Sequence, residues 1–366
     1  MNAYNERSVN GRSTCPTVAV AQGTMRSRDS SLTACYCSRM RTCGRDHEAR
    51  MRPPILWFAV VAIVAASGSA SVLAAQSLTS GVVLDAEGRV REDLVLLASP
   101  RLEGRSAGTP GADTAANFIA RRFWELGLRA AFRTSECDAE GACRASYLQA
   151  FHAPDYVTTN IGAIVPGTDS SLRNEYVAIS AHYDHIGRMN GGQGDTAAPN
   201  AIHPGADDNA SGTAAVLELA RRFSERPLKR SVIVLAFGAE EFGLVGSRVF
   251  VENPPFDLQK IDVVLNLDMV GRLHKNRLEI FGAGGKLKST VERANTEPRF
   301  SLVTRPRSSG RSDDFSFLAH RVPALHFTTG EHEDYHRATD TADRIDLVGL
   351  VRVIDYVERV ARLVDR

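Results

Sequence analysis

Six consecutive apolar residues run into a glycine turn and two acids in the sequence Val232-Ile233-Val234-Leu235-Ala236-Phe237-Gly238-Ala239-Glu240-Glu241. A short, uninterrupted apolar run of this kind is typical of a strand that is buried on both faces of a sheet. The two acids follow at the carboxyl end of the strand, where open α/β sheets bind their ligands. This stretch therefore predicts a central strand and also the edge of the sheet at which a site lies.

Similar apolar runs recur along the chain and alternate with segments in which apolar residues have helical spacing. We predict further strands at residues 161–165, 176–181, 263–267, 278–281 and 324–327, and helices at residues 112–126, 211–223 and 347–364. Strands that alternate with helices predict an α/β fold, a three-layer sandwich in which helices cover both faces of a mostly parallel sheet.

The composition is that of a globular protein. Of the 366 residues, 43% are hydrophobic and 24% are charged, and the formal net charge of +1 gives no indication of nucleic-acid binding. We find no internal repeat and no low-complexity linker after residue 76. Residues 76–366 are therefore expected to form one domain.

The amino-terminal part has a different character. Residues 1–50 are polar and rich in arginine, and we expect them to be disordered, or untranslated if Met51 rather than Met1 is the true start. Residues 51–75 contain a short apolar stretch with a small-residue exit, which is typical of a signal peptide, an uncleaved membrane anchor being the alternative. The chain is thus expected to be exported, to the periplasm or the extracellular space.

Two cysteines follow the expected signal, Cys137 and Cys143, on either side of a short polar segment. In an oxidising compartment this spacing predicts a local disulfide. Two free thiols are the alternative, and a zinc site is disfavoured because no neighbouring histidine or cysteine completes it.

Candidate metal ligands stand just after apolar runs or in turn-rich loops: His182, Asp207, Glu241, Asp268 and His336. Two imidazoles and three carboxylates suit two zinc ions if one carboxylate bridges them. Asp207 is the expected bridging group, and its neighbour Asp208 is the competing choice. The set indicates a hydrolase.

Three further residues have expected catalytic roles. Asp184 would accept a ring N–H of His182 and fix its tautomer. Glu240 would act as the general base for a water held between the ions and later return the proton to the leaving amine. Tyr335, beside His336, would donate a hydrogen bond to the tetrahedral oxyanion.

These residues lie in motifs that resemble those of the M28 family of co-catalytic zinc peptidases, the secreted bacterial aminopeptidase type. The motifs are His182-Tyr183-Asp184-His185, the Gly-Ala-Asp-Asp-Asn-Ala-Ser-Gly segment at 205–212, Ala-Glu-Glu-Phe-Gly at 239–243, and Asp-Tyr-His at 334–336. The resemblance implies a mixed sheet of about eight strands. It also implies that one zinc ion takes His182 and Asp268 and the other Glu241 and His336, with Asp207 bridging.

The resemblance implies an aminopeptidase that removes one residue from the free amino terminus of peptides, with an expected preference for apolar residues. Cobalt or manganese could substitute for zinc. The alternatives are a single-zinc enzyme like glutaminyl cyclase, and a catalytically silent binding domain on the same scaffold. Many family members have Ser-Asp-His where this chain has Ser312-Asp313-Asp314, a departure that bears on substrate preference.

The other histidines have no chemical partner that the sequence identifies. His332 is among these, His326 is expected in the core, and His185 is a possible substrate contact.

Overall fold

The computed structural model describes residues 85–138, 143–189, 191 and 195–366. These residues belong to one compact unit that spans Leu78–Arg366. The expectations for residues 1–50 and 51–75 fall outside the described residues. Among the helices described, none is both long and apolar enough to cross a membrane.

The described part of the chain contains seven α-helices and eleven strands. The helices are α1 (Ala86–Leu97), α2 (Pro110–Glu125), α3 (Gly212–Glu225), α4 (Val245–Glu252), α5 (Gly285–Ala294), α6 (Asp314–Ala319) and α7 (Leu347–Val364). The strands are β1 (Arg129–Ala130), β2 (Phe132–Cys137), β3 (Cys143–Ser146), β4 (Leu148–His152), β5 (Val157–Val165), β6 (Tyr176–His182), β7 (Ser231–Phe237), β8 (Ile261–Leu267), β9 (Arg277–Phe281), β10 (Ser301–Thr304) and β11 (Ala324–Thr328).

Nine of the strands form one mixed sheet in the order β1-β5-β7-β6-β8-β11-β9-β10, with β4 beside β5. The central strands β7, β6, β8 and β11 are parallel. Strand β5 runs antiparallel to its neighbours, and β9 runs antiparallel to β11 but parallel to β10. From β6 the chain moves to β7 on one side and then to β8 on the other. Ligand sites in such sheets lie at the strand ends beside this reversal.

The helices cover both faces of the sheet, as the sequence predicts. Along β7, Val232, Val234 and Ala236 face one apolar cluster with α1, α2, α3 and α7, whereas Ile233, Leu235 and Phe237 face another. The second cluster includes Phe250 of α4 and Phe317 of α6. Each central strand is therefore buried on both faces, which explains its uninterrupted apolar sequence.

The small hairpin of β2 and β3 lies apart from the main sheet and carries the predicted disulfide. Cys137 and Cys143 face each other across the hairpin and are bonded. The prediction of a local disulfide is confirmed.

Candidate metal centre

Three neighbouring parallel strands end in the acidic and imidazole groups that the sequence singles out. His182 is the last residue of β6, Glu240 and Glu241 follow β7 after a two-residue turn, and Asp268 directly follows β8. The turn after β7 is tightly packed, since a Cβ on Gly238 would lie 2.7 Å from the carbonyl oxygen of Thr159. These side chains therefore meet at the carboxyl edge of the sheet, as predicted.

The side chains at this edge form two adjoining clusters. One contains His185, Asp208, Glu241 and His336, and the other contains His182, Glu240 and Asp268, and within each cluster the candidate ligand atoms lie within 4.8 Å of one another. Groups of this chemistry, buried or partly buried and drawn from separate segments, suit a divalent cation in each cluster.

The carboxylate of Asp208 connects the two clusters. Its Oδ1 lies 3.3 Å from His182 Nε2, and its Oδ2 lies 3.1 Å from His336 Nε2. One carboxylate that offers a different oxygen to each side is the arrangement a bridging ligand needs.

Asp207, the expected bridging residue, lies outside both clusters. Its Oδ1 accepts the backbone N–H of Gly271 at 2.6 Å, and its Oδ2 is 3.0 Å from His332 Nε2. Asp207 and Asp208 are adjacent in an irregular turn, so their side chains leave the backbone in different directions. The structure thus brings Asp208 rather than the expected Asp207 to the clusters, and the backbone path of this turn is the reason.

The turn that carries Asp208 is held from two directions. Gly205 has a left-handed φ of 57°, and a Cβ there would lie 2.1 Å from the carbonyl oxygen of Asp208. The carboxylate of Asp340 accepts the backbone N–H groups of Asp207 and Asp208 at 2.9–3.1 Å. The position of the Asp208 carboxylate is therefore constrained through its backbone.

In the first cluster, His336 faces two carboxylates without a hydrogen bond. Its Nε2 lies 3.1 Å from oxygens of both Asp208 and Glu241, yet it has no hydrogen-bond partner within the described part of the chain. Atoms that converge in this way without bonding to each other fit a shared cation. Burial lowers the pKa of His336, but Asp208 and Glu241 outweigh burial and raise it to about 10.

His185 belongs to the first cluster, although the sequence suggested only a possible substrate contact. Its Nδ1 lies 2.7 Å from Glu241 Oε1, and the ring is fully buried. The sequence feature that could have indicated this role was the position of His185, three residues after His182 at the end of β6. In the structure it orients the Glu241 carboxylate.

In the second cluster, His182 Nε2 lies 3.3 Å from Asp268 Oδ1. The other ring nitrogen, Nδ1, is 3.2 Å from the backbone carbonyl of Asp184 and 3.8 Å from its carboxylate. The Asp184 side chain instead accepts the backbone N–H of Glu240 at 3.1 Å. The ring nitrogen thus faces the backbone carbonyl of Asp184 rather than the carboxylate that the sequence analysis expected.

The carboxyl group of Glu240 lies near several other acidic side chains. Burial raises the pKa of its carboxyl group well above the usual value, the charge of His182 opposes this, and Asp268 and Asp313 reinforce it. A carboxyl group with a raised pKa binds a proton more readily, which suits a general base that must hold one.

A cavity of about 290 Å³ opens over both clusters. Tyr335 lines it together with Glu240, and the Tyr335 ring stacks on His336 at 4.0 Å between centroids. Burial, with the charges of Asp208 and Glu241, raises the pKa of Tyr335, so its hydroxyl stays protonated and can donate a hydrogen bond. Apart from Asp207, the structure brings every predicted site residue to or directly behind this cavity.

Arg105 is a buried residue of the site that the sequence analysis did not identify. Its guanidinium donates to the carbonyl oxygens of Tyr183, Pro204 and Gly205 at 2.7–2.9 Å, and to that of Leu97. It therefore joins the loop after β6 to the turn that carries Asp208. Burial lowers the pKa of Arg105 to about 10. A lone arginine in a loop carries no sequence signal for this role.

Comparison with known proteins agrees with this geometry. The profile of peptidase family M28 matches residues 160–361, more than half of the chain. Aminopeptidase YwaD of Bacillus subtilis is 28% identical over 195 residues, 50% of this chain and 40% of that protein. "Probable lipoprotein aminopeptidase LpqL" of Mycobacterium tuberculosis is 49% identical over 184 residues, 40% of this chain and 37% of that protein. This chain thus spans well under half the length of these relatives.

Two solved structures show the same fold. A zinc aminopeptidase from Bacillus subtilis, BSAP, aligns with a TM-score of 0.59 and 18% identity over 75% of this chain and 94% of that one. A glutaminyl cyclase of Bacteroides thetaiotaomicron bound to N-acetylhistamine aligns with a TM-score of 0.59 and 18% identity over 76% and 97%. These likenesses confirm the predicted mixed sheet between helices. The match over residues 160–361 places this chain in peptidase family M28.

Proposed function

We propose that this chain is an aminopeptidase that uses two zinc ions to hydrolyse the amino-terminal peptide bond of peptides. The observation that carries the proposal is the position of Asp208, whose two oxygens face His182 on one side and His336 on the other. A second support is that relatives such as Aminopeptidase YwaD carry this activity in their names.

The residues present fit two cations. His182 and Asp268 would hold one ion, Glu241 and His336 the other, and Asp208 would be shared. Three carboxylates and two neutral imidazoles carry a charge of about −3 against +4 for two zinc ions, so the ions retain positive charge. When bound, zinc polarises a carbonyl group and lowers the pKa of a water molecule.

Glu240 is placed to move the proton. Its side chain lines the cavity beside His182 and Asp268, and its raised pKa favours acceptance of a proton from the attacking water. The same carboxyl group then passes that proton to the leaving amine. Tyr335, whose hydroxyl stays protonated, donates a hydrogen bond to the oxyanion.

A glutaminyl cyclase shares the fold and is the competing enzyme. A single zinc ion needs only one cluster, whereas this chain has a second one of His182, Glu240 and Asp268 joined to the first through Asp208. A silent binding domain has no need for either a second cluster or a buried acid with a raised pKa. The paired clusters therefore favour the two-zinc hydrolase.

We also propose that the protein is exported. The Cys137–Cys143 disulfide requires an oxidising compartment to persist. One relative is named as a lipoprotein aminopeptidase. A signal peptide at residues 51–75, cleaved or retained as an anchor, is consistent with both observations.

Zinc content and turnover test the activity directly. Elemental analysis of the purified protein should give two zinc ions per chain, and a leucine anilide should be cleaved until a chelator is added. Glu240→Gln should keep both ions and lose about 10³-fold or more of kcat, whereas Glu252→Gln on the exposed surface of α4 should behave as wild type. One zinc ion per chain with cyclisation of a glutaminyl peptide would identify a cyclase instead. Full activity of Glu240→Gln would remove the mechanism.

A further inference from the structure

The cavity over the metal clusters extends along one face of the strands β9 and β11. Phe281 pairs with His326 and Glu279 pairs with Thr328 across these antiparallel strands. All four side chains line the cavity. The alternate residues of both strands, such as Ile280 and Phe327, face the apolar core. The four side chains are thus a continuous wall of the cavity, and only one of them is a hydrocarbon.

His326 presents unused hydrogen-bonding groups to this cavity. The side chain is buried, with 6% of the residue exposed, and neither ring nitrogen has a hydrogen-bond partner among the described residues. The nearest charged atom is Asp314 Oδ1, at 3.8 Å from Nδ1 and likewise without a partner. Buried polar groups are nearly always paired in folded proteins, so a group of this kind in a cavity wall indicates a ligand contact.

Glu279 adds a negative charge to the same wall. Its side chain is 16% exposed, and its ion-pair partner Arg277 is half exposed and does not line the cavity. The other charges outside the metal clusters, Arg311 and Glu331, pair with each other and are largely exposed. Thr328 is paired with Glu279 in the strand register, and its hydroxyl donates to the carbonyl oxygen of Met269 at 3.2 Å. Within the described part of the chain, this wall therefore offers a ligand the unpaired ring of His326 and the carboxylate of Glu279, whose one cationic partner, Arg277, lies outside the cavity lining.

We propose that this cavity selects peptides whose amino-terminal residue has a long side chain ending in hydrogen-bond donors, with lysine and arginine preferred over hydrocarbon side chains. Glu279 accepts the donors of that side chain, and His326 completes its hydrogen bonding. The stem of the side chain packs on Phe281, which is stacked on His326 at 5.6 Å between ring centroids. The inference rests on the proposed aminopeptidase activity, and it departs from the apolar preference that the family resemblance implies.

Lysine and norleucine anilides provide a matched comparison because their side chains differ only in the terminal amine. Wild-type protein should have a kcat/KM about tenfold or more higher for the lysine substrate, since a buried polar site left unpaired rejects an apolar analogue. Glu279→Gln should reduce the lysine-to-norleucine ratio about tenfold, and His326→Phe should reduce it as well. Glu292→Gln, on the exposed side of α5, should leave the ratio unchanged.

Ligand binding separates failure of this inference from failure of the proposed activity. Lysinamide and norleucinamide are titrated into zinc-loaded wild-type and Glu279→Gln protein by calorimetry. Tighter binding of lysinamide that Glu279→Gln abolishes supports the inference even if no anilide is cleaved. Cleavage of leucine and norleucine anilides with no preference for lysine, or equal binding of the two amides, overturns the inference and leaves the aminopeptidase activity standing. Binding of neither amide overturns it as well.

Discussion

Asp207 and Asp208 are adjacent in sequence, but their carboxylates contact different histidines. Asp208 Oδ1 lies 3.3 Å from His182 Nε2, whereas Asp207 Oδ2 lies 3.0 Å from His332 Nε2. The first contact lies within the two clusters of candidate ligands, and the second contact lies outside them. Two residues of the same chemistry at neighbouring positions therefore have separable roles.

The pair provides a matched test. Asp208→Asn should weaken zinc binding at both clusters and lower kcat by about 10³-fold, because the shared carboxylate is lost. Asp207→Asn should retain both zinc ions and cost about 1–3 kcal/mol of unfolding free energy, because Gly271 N–H and His332 lose an ionised partner. Zinc analysis, turnover and urea unfolding of the two variants measure these effects. Loss of zinc from Asp207→Asn alone would reverse the assignment.

Arg105 is expected to support the site through the backbone, although its hydrogen bonds are all to carbonyl groups and not to the candidate ligands. Arg105→Lys retains the charge but cannot reach the separate carbonyl groups of Leu97, Tyr183 and Pro204. We expect a loss of roughly 3 kcal/mol in unfolding free energy and weaker zinc binding, since the turn that carries Asp208 is released. Arg101→Lys on the exposed surface is the control. Zinc affinity at wild-type level in Arg105→Lys would limit the residue to a stabilising role.

Tyr335→Phe should separate transition-state stabilisation from metal binding. The variant keeps the ring that stacks on His336 but loses the hydroxyl. We expect kcat to fall about 10²-fold with zinc content and KM nearly unchanged, as is usual when a single oxyanion donor is removed. Steady-state kinetics with a leucine anilide and zinc analysis measure both quantities. A change confined to KM would mean that the hydroxyl contacts the substrate before the reaction.

The ion pairs of Glu218, away from the candidate metal site, predict that the stability of the fold depends on pH. It lies on α3, and its 2% exposed side chain contacts Arg89, Arg221 and Arg222 at 2.9–3.0 Å. Burial acts to raise the pKa of Glu218, but the hydrogen bonds from these arginines outweigh burial and lower it from 4.5 to about 2. The contribution to stability is therefore complete above pH 4.5 and is lost as the pH falls towards 2.

The corresponding variant is Glu218→Gln. At pH 7 it should be less stable than wild type by roughly 3 kcal/mol, and the difference should shrink as the pH falls below 4.5. Urea unfolding of both proteins at pH 7, 5, 4 and 3 measures this trend, with Glu252→Gln as the control. A difference that stays constant with pH would show that packing rather than charge is responsible.

The sequence predicted the parts of the fold that depend on long apolar runs. Each central strand is buried on both faces, so its composition is nearly uniform and its ends are sharp, as at Phe237 before Gly238. Helices α2 and α7 have one apolar stripe and were also found. The edge strands β1, β4 and β10 are short and partly exposed, and α1 has a weak apolar face, so these elements were missed.

The positions of the candidate ligands could be predicted where they directly follow strands. His182, Glu241 and Asp268 have their positions set by the ends of β6, β7 and β8. Asp208 could not be separated from Asp207, because the direction of a side chain in an irregular turn depends on contacts with Asp340 far along the chain. Arg105 was not found for a similar reason, since all its partners are backbone carbonyl groups.

His182 and His336 lie far apart in the sequence, and the other candidate ligands come from separate segments between them. These groups meet only after β6, β7, β8 and β11 have assembled. A partly folded chain would thus lack the proposed metal centre, because its candidate ligands would not be brought together. Binding of a cation there would accordingly report that the sheet is complete.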